Sequence, residues 1–281
     1  WPDRTVLAWT PAGAVARPRT LQLRLAPAHP ERVAGLAPTP SRALTPEEAV
    51  ANLDWFTTPG PRGLPVDGLV LSGSGVAARP DLPALIARAR RAGVTRVVAH
   101  TTLAEANAPL DVERRVLTVV ATADTLAQLR AVLGTSPGLD LNAPILAHTL
   151  PGLSELASLA GEGAGSLTFT WPFPGGGEPP SLPDTLDALR AAIPHAGTVP
   201  ITIKGIPACW LGELAGYTRR SVNRWYVDAE HQKDAAILFF PGVVAFAKAD
   251  PCRFCARDAA CDGFLPAWTD RADVPEVRAL A

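Results

Sequence analysis

The four cysteines of this 281-residue chain are the residues whose type and spacing point most directly to chemistry. Cys252, Cys255 and Cys261 form a C-x2-C-x5-C pattern, and Cys209 stands upstream of them. Closely spaced thiols in a reducing compartment are more often metal ligands than disulfides, and a C-x2-C turn suits one metal centre. We therefore predict that the four cysteines bind one metal centre. Inert or redox-active thiols are the alternative.

The spacing also bears on the kind of metal centre. Zinc and a [4Fe–4S] cluster both accept four thiolates. Paired C-x2-C knuckles would favour zinc, whereas one knuckle, a third cysteine six residues later and a distant fourth favour the larger cluster. The prediction is one [4Fe–4S] cluster, with zinc as the alternative, and the ligands are Cys209, Cys252, Cys255 and Cys261. Lys248, Arg253 and Arg257 are candidates to offset the thiolate charge, although each is equally explained as a solvated side chain.

Composition excludes other classes of function. The chain has 26 Lys and Arg against 27 Asp and Glu, so it lacks the excess of positive charge with which proteins bind nucleic acids or anionic membranes. With 47% hydrophobic and 19% charged residues, it can bury a core. No apolar run reaches the roughly 18–20 residues of a membrane span, and no secretory signal is visible. We expect a cytoplasmic protein that binds neither nucleic acid nor membrane.

The elements that must position the cysteines follow from hydrophobic periodicity. Between residues 21 and 203, short β-branched or Leu-rich runs alternate with Ala/Leu/Arg-rich segments of helical period, which predicts a parallel α/β sheet. The predicted strands span residues 21–25, 68–72, 94–100, 116–121, 140–147, 166–170 and 199–203. The predicted helices span residues 46–56, 83–92, 125–133, 152–160 and 182–193. The first helix carries a start signal, because Thr45 is followed by Pro46 and Glu48.

The alternating pattern stops after Ile203, and the rest of the chain is predicted to be an appendage organised around the cysteines. For the residues before it, periodicity alone does not distinguish a doubly wound sheet from an open or closed barrel. Segment 172–183, rich in Gly and Pro, follows a predicted strand. Ligands bind at that edge of such sheets, so this loop either shapes a pocket or only connects two elements.

The cysteine segment resembles part of a known family. Residues 250–264 (DPCRFCARDAACDGF), with Trp268 beyond them, resemble the C-terminal auxiliary-cluster region of radical SAM enzymes, of the SPASM or shortened twitch type. The pattern of that region is C-x2-C-x5-C-x-G followed by an aromatic residue. Residues 205–209 (GIPAC) resemble the upstream segment that supplies the remaining ligand.

Weaker similarity extends over the rest of the chain. Residues 66–83 resemble the radical SAM strand that ends in a Ser-Gly-Gly-Glu-Pro motif, and residues 21–25 resemble the first barrel strand. The resemblance implies an α/β fold in which residues 1–203 form a partial (β/α)6 TIM-like barrel. Residues 204–281 would form the SPASM/twitch-like auxiliary cluster region.

The departures from the family concern its catalytic motif. Active members place C-x3-C-x2-C just after the first strand, and here His29, Val33 and Leu36 occupy those positions. Valine and leucine do not ligate iron. Ser74 and Gly75 also replace the second Gly and the Glu of the glycine motif, which contacts the amino group of S-adenosylmethionine. Without a thiolate triad no iron has an open coordination site, so we do not expect S-adenosylmethionine to be cleaved.

The resemblance therefore implies a radical SAM pseudoenzyme. It would be a non-catalytic iron–sulfur protein that binds a substrate peptide or a catalytic protein partner in a biosynthetic or peptide-modification system. One alternative is an enzyme with altered, non-radical chemistry at the barrel mouth, and another is a zinc-stabilised binding module.

Two further features bear on these alternatives. Among the five histidines, His100 and His148 lie at predicted strand ends, where a barrel presents its functional face, although a structural role is the more common one. Segment 217–226 is basic with interleaved aromatic residues, so it is either a surface for an anionic or peptide partner or a solvated strand.

Overall fold

The computed structural model describes residues 18–26, 41–59, 64–172, 179–239 and 246–280. The strands in these ranges are β1 Thr20–Arg24, β2 Gly68–Ser72, β3 Arg96–Thr101, β4 Arg114–Thr118, β5 Asp140–Pro144, β6 Ser166–Thr170, β7 Ile201–Lys204, β8 Arg224–Val227 and β9 Ile237–Phe239. The α-helices are α1 Pro46–Thr57, α2 Leu82–Arg91, α3 Ala123–Thr135, α4 Leu153–Gly163 and α5 Leu182–Ala192.

The nine described strands form one mostly parallel sheet, in the order β7-β6-β5-β4-β3-β2-β1-β8-β9. Strands β1 to β7 are neighbours in chain order, and β8 is parallel to β1 on its other side. The pairing of β8 with β9 is antiparallel. Because parallel crossovers are right-handed, this consecutive order places the connecting helices on one face. The predicted α/β class is confirmed, and the sheet is compatible with a partial barrel.

The predicted elements match the observed ones closely up to β7. The strands predicted at 68–72 and 166–170 coincide with β2 and β6, and each predicted helix overlaps one of α1 to α5. The predicted strand 140–147 is too long, because a 3-10 turn begins at Ala147. The connection between β3 and β4 contains only the short 3-10 turn Leu103–Glu105.

The segment after β7 contributes two strands to the same sheet. Segment 217–226 is predicted to be either a binding surface or a solvated strand, and its residues Arg224, Trp225 and Tyr226 do lie in a strand, β8. Trp225 and Tyr226 are paired with Leu21 and Gln22 of β1. Tyr226 is buried, so this part of the segment is not solvated.

The two faces of the sheet differ in chemistry because side chains alternate along each strand. The apolar face is buried against the helices and includes Leu21, Leu23, Leu69, Leu71, Leu117, Leu141, Leu167 and Phe169. The alternate positions are mostly polar and include Gln22, Arg24, Ser72, His100, Thr118, Asn142, Thr170 and Lys204, with Val70, Val98 and Val116 among them. Hydrogen bonds join neighbours on this face, from Gln22 to Ser72 at 3.0 Å and from Thr170 to Asn142 at 2.6 Å.

The predicted start of α1 is confirmed. The Thr45 hydroxyl accepts a hydrogen bond from the Glu48 amide at 3.2 Å, and the Glu48 carboxylate accepts one from the Thr45 amide at 2.9 Å. The Arg42 guanidinium also binds this carboxylate and lowers the pKa of Glu48 to about 2. This capping box satisfies amide groups that have no partner within the helix.

Arg79 joins β1, α1 and α2. Its guanidinium donates to the carbonyl oxygens of Leu25 and Leu44, each at 2.9 Å, and makes a two-pronged contact with the Asp81 carboxylate. The Arg79 side chain is only 14% exposed. Since water has little access to these groups, the carbonyls depend on the arginine for their hydrogen bonds.

We predict that Arg79→Ala lowers the free energy of unfolding by about 2–3 kcal/mol, because it leaves poorly solvated carbonyls without a donor. The matched control is Arg88→Ala. Arg88 also makes a two-pronged contact, with Asp54, but the two side chains are 45% and 41% exposed. We expect the control to change stability by less than about 1 kcal/mol. Urea denaturation measures both, and equal losses would contradict the prediction.

Candidate metal centre

The four predicted ligands line one cleft. Cys209, Cys252, Cys255 and Cys261 all border it, and each is a half-buried free thiol. The cleft also contains Lys248 and Phe264. Across the described part of the chain, no group of three or more His, Cys, Asp or Glu side chains is arranged to hold a single metal ion. The cysteines therefore border the same cleft, but their side chains are not already arranged to coordinate a single ion.

Short turns position the four cysteines around this cleft. Cys209 lies in the 3-10 turn Ala208–Trp210, which follows β7. Cys252 lies in the 3-10 turn Asp250–Phe254, and the amide of Cys255 donates to the Cys252 carbonyl at 3.2 Å. The C-x2-C pattern is therefore a closed turn, as its spacing predicts.

Backbone amides point at the sulfurs of Cys255 and Cys261. Cys261 Sγ accepts from the amides of Ala208 at 3.5 Å and Gly263 at 3.3 Å. Cys255 Sγ accepts from the amide of Leu280 at 3.4 Å. Hydrogen bonds of this kind stabilise negative charge on sulfur.

Opposing effects act on the pKa values of the other two thiols, Cys209 and Cys252. Burial raises the pKa of Cys209 and of Cys252, and thiolate charge on neighbouring cysteines raises both further. Backbone groups of Arg278, beside Cys209, and of Ala249, beside Cys252, lower these pKa values and so act in the opposite direction. The ammonium group of Lys248 also favours the Cys252 thiolate. Of the four sulfurs, those of Cys255 and Cys261 accept backbone hydrogen bonds.

At two positions in the cysteine motifs another part of the backbone comes so close that only glycine fits. Gly263 has φ of 105°, and a Cβ there would lie 2.2 Å from the carbonyl oxygen of Ala247. That approach allows Ala247 and Phe264 to exchange backbone hydrogen bonds at 2.8 and 3.0 Å. Gly205 has φ of 84°, and a Cβ there would lie 2.6 Å from the carbonyl oxygen of Trp171. The chain from β7 to Cys209 thus passes against the end of β6.

Among the predicted charge-balancing residues, Lys248 is the one that lines the cleft. It forms an ion pair with Asp258, which lies in the same cleft. Arg253 pairs with Asp250 on the surface, and the Arg253 side chain is 51% exposed.

Lys204, which sequence reasoning missed, links the sheet to the cysteine segment. Its ammonium group lies 3.5 Å from the Asp262 carboxylate and donates to Ser221 Oγ at 3.0 Å. Asp262 is buried and accepts two hydrogen bonds from Ser221. Burial lowers the pKa of Lys204, whereas Asp262 and Cys261 act in the opposite direction. In the sequence, the only indication of this link was that a lysine directly follows the predicted strand 199–203.

Segment 271–280, which contains no cysteine, also reaches the cleft. The Asp273 carboxylate accepts from the amide of Leu182 at 2.7 Å, at the start of α5, and pairs with Arg271. The pKa of Asp273 falls to about 2, chiefly because of its hydrogen bond with Arg271. Val277 and Arg278 then border the cleft. Sequence reasoning missed this segment because a backbone amide leaves no mark in the sequence.

The histidines do not join the cysteine cleft in the described residues. His100 is half-buried on the polar face, and His148 and His195 are exposed. His231 lies just beyond β8, where its Nδ1 is 2.8 Å from the carboxylate of the fully buried Asp228. Three residues that stand where active family members have the catalytic cysteines lie outside the described residues: His29, Val33 and Leu36. Residues 173–178 of the Gly-rich loop also lie outside them.

Comparisons with protein-family models, with curated proteins and with solved structures found no match. The family resemblance therefore rests on the motifs quoted above and stays a prediction. None of the described helices combines the length and the apolar composition needed to cross a bilayer.

We predict that Gly263→Ala destabilises the cysteine segment, because the new Cβ collides with a carbonyl oxygen that cannot move freely. Gly212→Ala is the control, since Gly212 has φ of 57° but no atom lies within 4 Å of the place that a Cβ would take. The control should lose only the roughly 1–2 kcal/mol of a left-handed alanine. Thermal unfolding and the alkylation rate of Cys261 measure the effect, and similar behaviour of the two variants would count against the assignment.

Proposed function

We propose that this chain is a non-catalytic radical SAM-like protein whose Cys209, Cys252, Cys255 and Cys261 hold one [4Fe–4S] cluster. The observation that carries the proposal is that four thiols from two separate parts of the chain border one cleft, where the sulfurs of Cys255 and Cys261 accept backbone hydrogen bonds. Sulfur binds metals as the thiolate, which these donors stabilise. The donor set of four thiolates fits such a cluster.

The cluster, when bound, would serve structure or electron transfer, because four protein ligands leave no iron with an open position. The chain's own contribution is to hold the sulfurs and to shield them. Lys248 adds a positive charge beside Cys252, and Lys204 adds one near Cys261. Both reduce the repulsion among closely placed thiolates.

Binding of a substrate peptide or of a catalytic protein partner is the role that the family resemblance implies. The chain's Val33 and Leu36, at positions where active members have thiolates, support a role without radical chemistry. The polar face of the sheet supplies donors and acceptors, among them Ser72 and Asn142, of the kind that bind peptide groups.

An enzyme with altered, non-radical chemistry at the barrel mouth is the second candidate, and the Asp228–His231 pair favours it. The buried carboxylate holds Nδ1 of the imidazole, which fixes the ring and leaves Nε2 to exchange a proton. This pair follows β8, which lies beside the first strand of the sheet. Ligands bind at this edge in parallel α/β folds.

The cluster assignment is tested by anaerobic reconstitution followed by analysis of iron, sulfide and zinc. We expect about four iron and four sulfide per chain. Cys255→Ser should lose iron and unfold at a lower temperature, because metal binding and local folding are coupled. Ala256→Ser is the matched control at the neighbouring position and should retain the wild-type iron content. One zinc per chain and no sulfide would overturn the iron–sulfur assignment in favour of the zinc-stabilised module.

The non-catalytic assignment is tested separately with S-adenosylmethionine. Under strongly reducing, anaerobic conditions we expect no 5′-deoxyadenosine from the reconstituted protein, because the thiolate triad of active members is missing from the sequence. An active radical SAM enzyme serves as the positive control. Formation of 5′-deoxyadenosine that depends on this protein would disprove the assignment.

A further inference from the structure

We propose that segment 276–280 is a structural part of the metal centre, where the peptide N–H group of Leu280 stabilises the sulfur of Cys255. This inference rests on the proposed function, because it assigns a donor that stabilises one of the cluster's ligands. It adds to the site a segment that contributes no ligand side chain.

The backbone of Leu280 both donates a hydrogen bond to the C-x2-C turn and accepts one from the residue that follows it. Its amide donates to Cys255 Sγ at 3.4 Å, and its carbonyl accepts from the Ala256 amide at 2.9 Å. Two backbone hydrogen bonds thus hold Leu280 beside Cys255. This pairing fixes the amide in position and does not depend on a side chain.

The same segment also borders the part of the cleft that contains Cys209, which follows β7 and is remote in sequence from the C-x2-C turn. Val277 and Arg278 line the cleft together with Cys209 and the other three cysteines. The segment therefore lies beside both parts of the chain that supply the cysteines.

The segment is held in place by contacts that do not involve the thiols. Just before it, Asp273 binds the amide of Leu182, and Arg271 donates to the carbonyl of Pro180 at 3.1 Å. Val277 and Leu280 pack against the larger apolar cluster of the molecule. The Leu280 amide is thus positioned before a metal binds, which avoids the entropic cost of ordering it at that moment.

The chemical consequence concerns charge on sulfur. Hydrogen bonds to ligand sulfurs withdraw electron density and are among the features that set the reduction potential of a cluster. Removal of such hydrogen bonds makes reduction of the cluster less favourable, so its reduction potential becomes more negative. Loss of these bonds also weakens the hold on the thiolates.

Proline substitution removes a backbone N–H group and so tests the donor directly. In the reconstituted protein, Leu280→Pro should shift the reduction potential to a more negative value. It should also speed iron loss to a chelator by about tenfold, the effect of one hydrogen bond to a charged group. Ala279→Pro is the matched control for proline and should behave as the wild type. An equal response of the two proline variants would overturn the proposal.

A second measurement uses metal-free protein and does not depend on the cluster. Replacement of residues 276–280 by a Gly/Ser sequence should raise the iodoacetamide alkylation rates of Cys209 and Cys255, as mapped by mass spectrometry. Unchanged rates would overturn the proposal. If the wild type binds no iron but the replacement exposes both thiols, the proposed function fails while the structural role of the segment stands. If iron binds normally but Leu280→Pro matches Ala279→Pro, the proposed function stands and the role of the segment fails.

Discussion

Strand β1 is hydrogen-bonded on both sides by parallel strands, β2 from the residues after α1 and β8 from the region that leads to the cysteine motif. This double pairing requires Leu21 and Leu23 to be buried on the helix face together with Leu69 and Leu71. The alternate residues must then face the other way. The polar face, and the attachment of β8 to the sheet, both follow from the register of one strand.

The cysteine cleft depends on a balance between burial and hydrogen bonding. Burial disfavours the thiolate, as the raised pKa of Cys209 and Cys252 reflects, and backbone amides oppose that effect. The amides that donate to sulfur come from Ala208, Gly263 and Leu280. Because they lie in separate chain segments, the environment of the sulfurs forms only when those segments are assembled.

Electrostatic contacts connect the cleft to the sheet. Lys204 ends β7 on the polar face, and its ion pair with Asp262 lies next to Cys261 in sequence. Gly205 follows and lets the chain pass close to Trp171 on its way to Cys209. A change of charge at Cys261 therefore acts on Lys204, at the end of the edge strand β7.

The sequence by itself determined the elements that are encoded locally. Short Leu-rich or β-branched runs located β2 and β6, the Thr45–Glu48 pair located the start of α1, and spacing identified the C-x2-C turn. Tertiary structure alone decided the place of β8 beside β1, the pairing of Lys204 with Asp262 and the donor in segment 276–280. The residues of a strand do not specify which strand it pairs with, ion pairs between distant residues leave no local signal, and peptide amides are the same in nearly every residue. Long-range pairing in the folded chain is what gives those groups their partners.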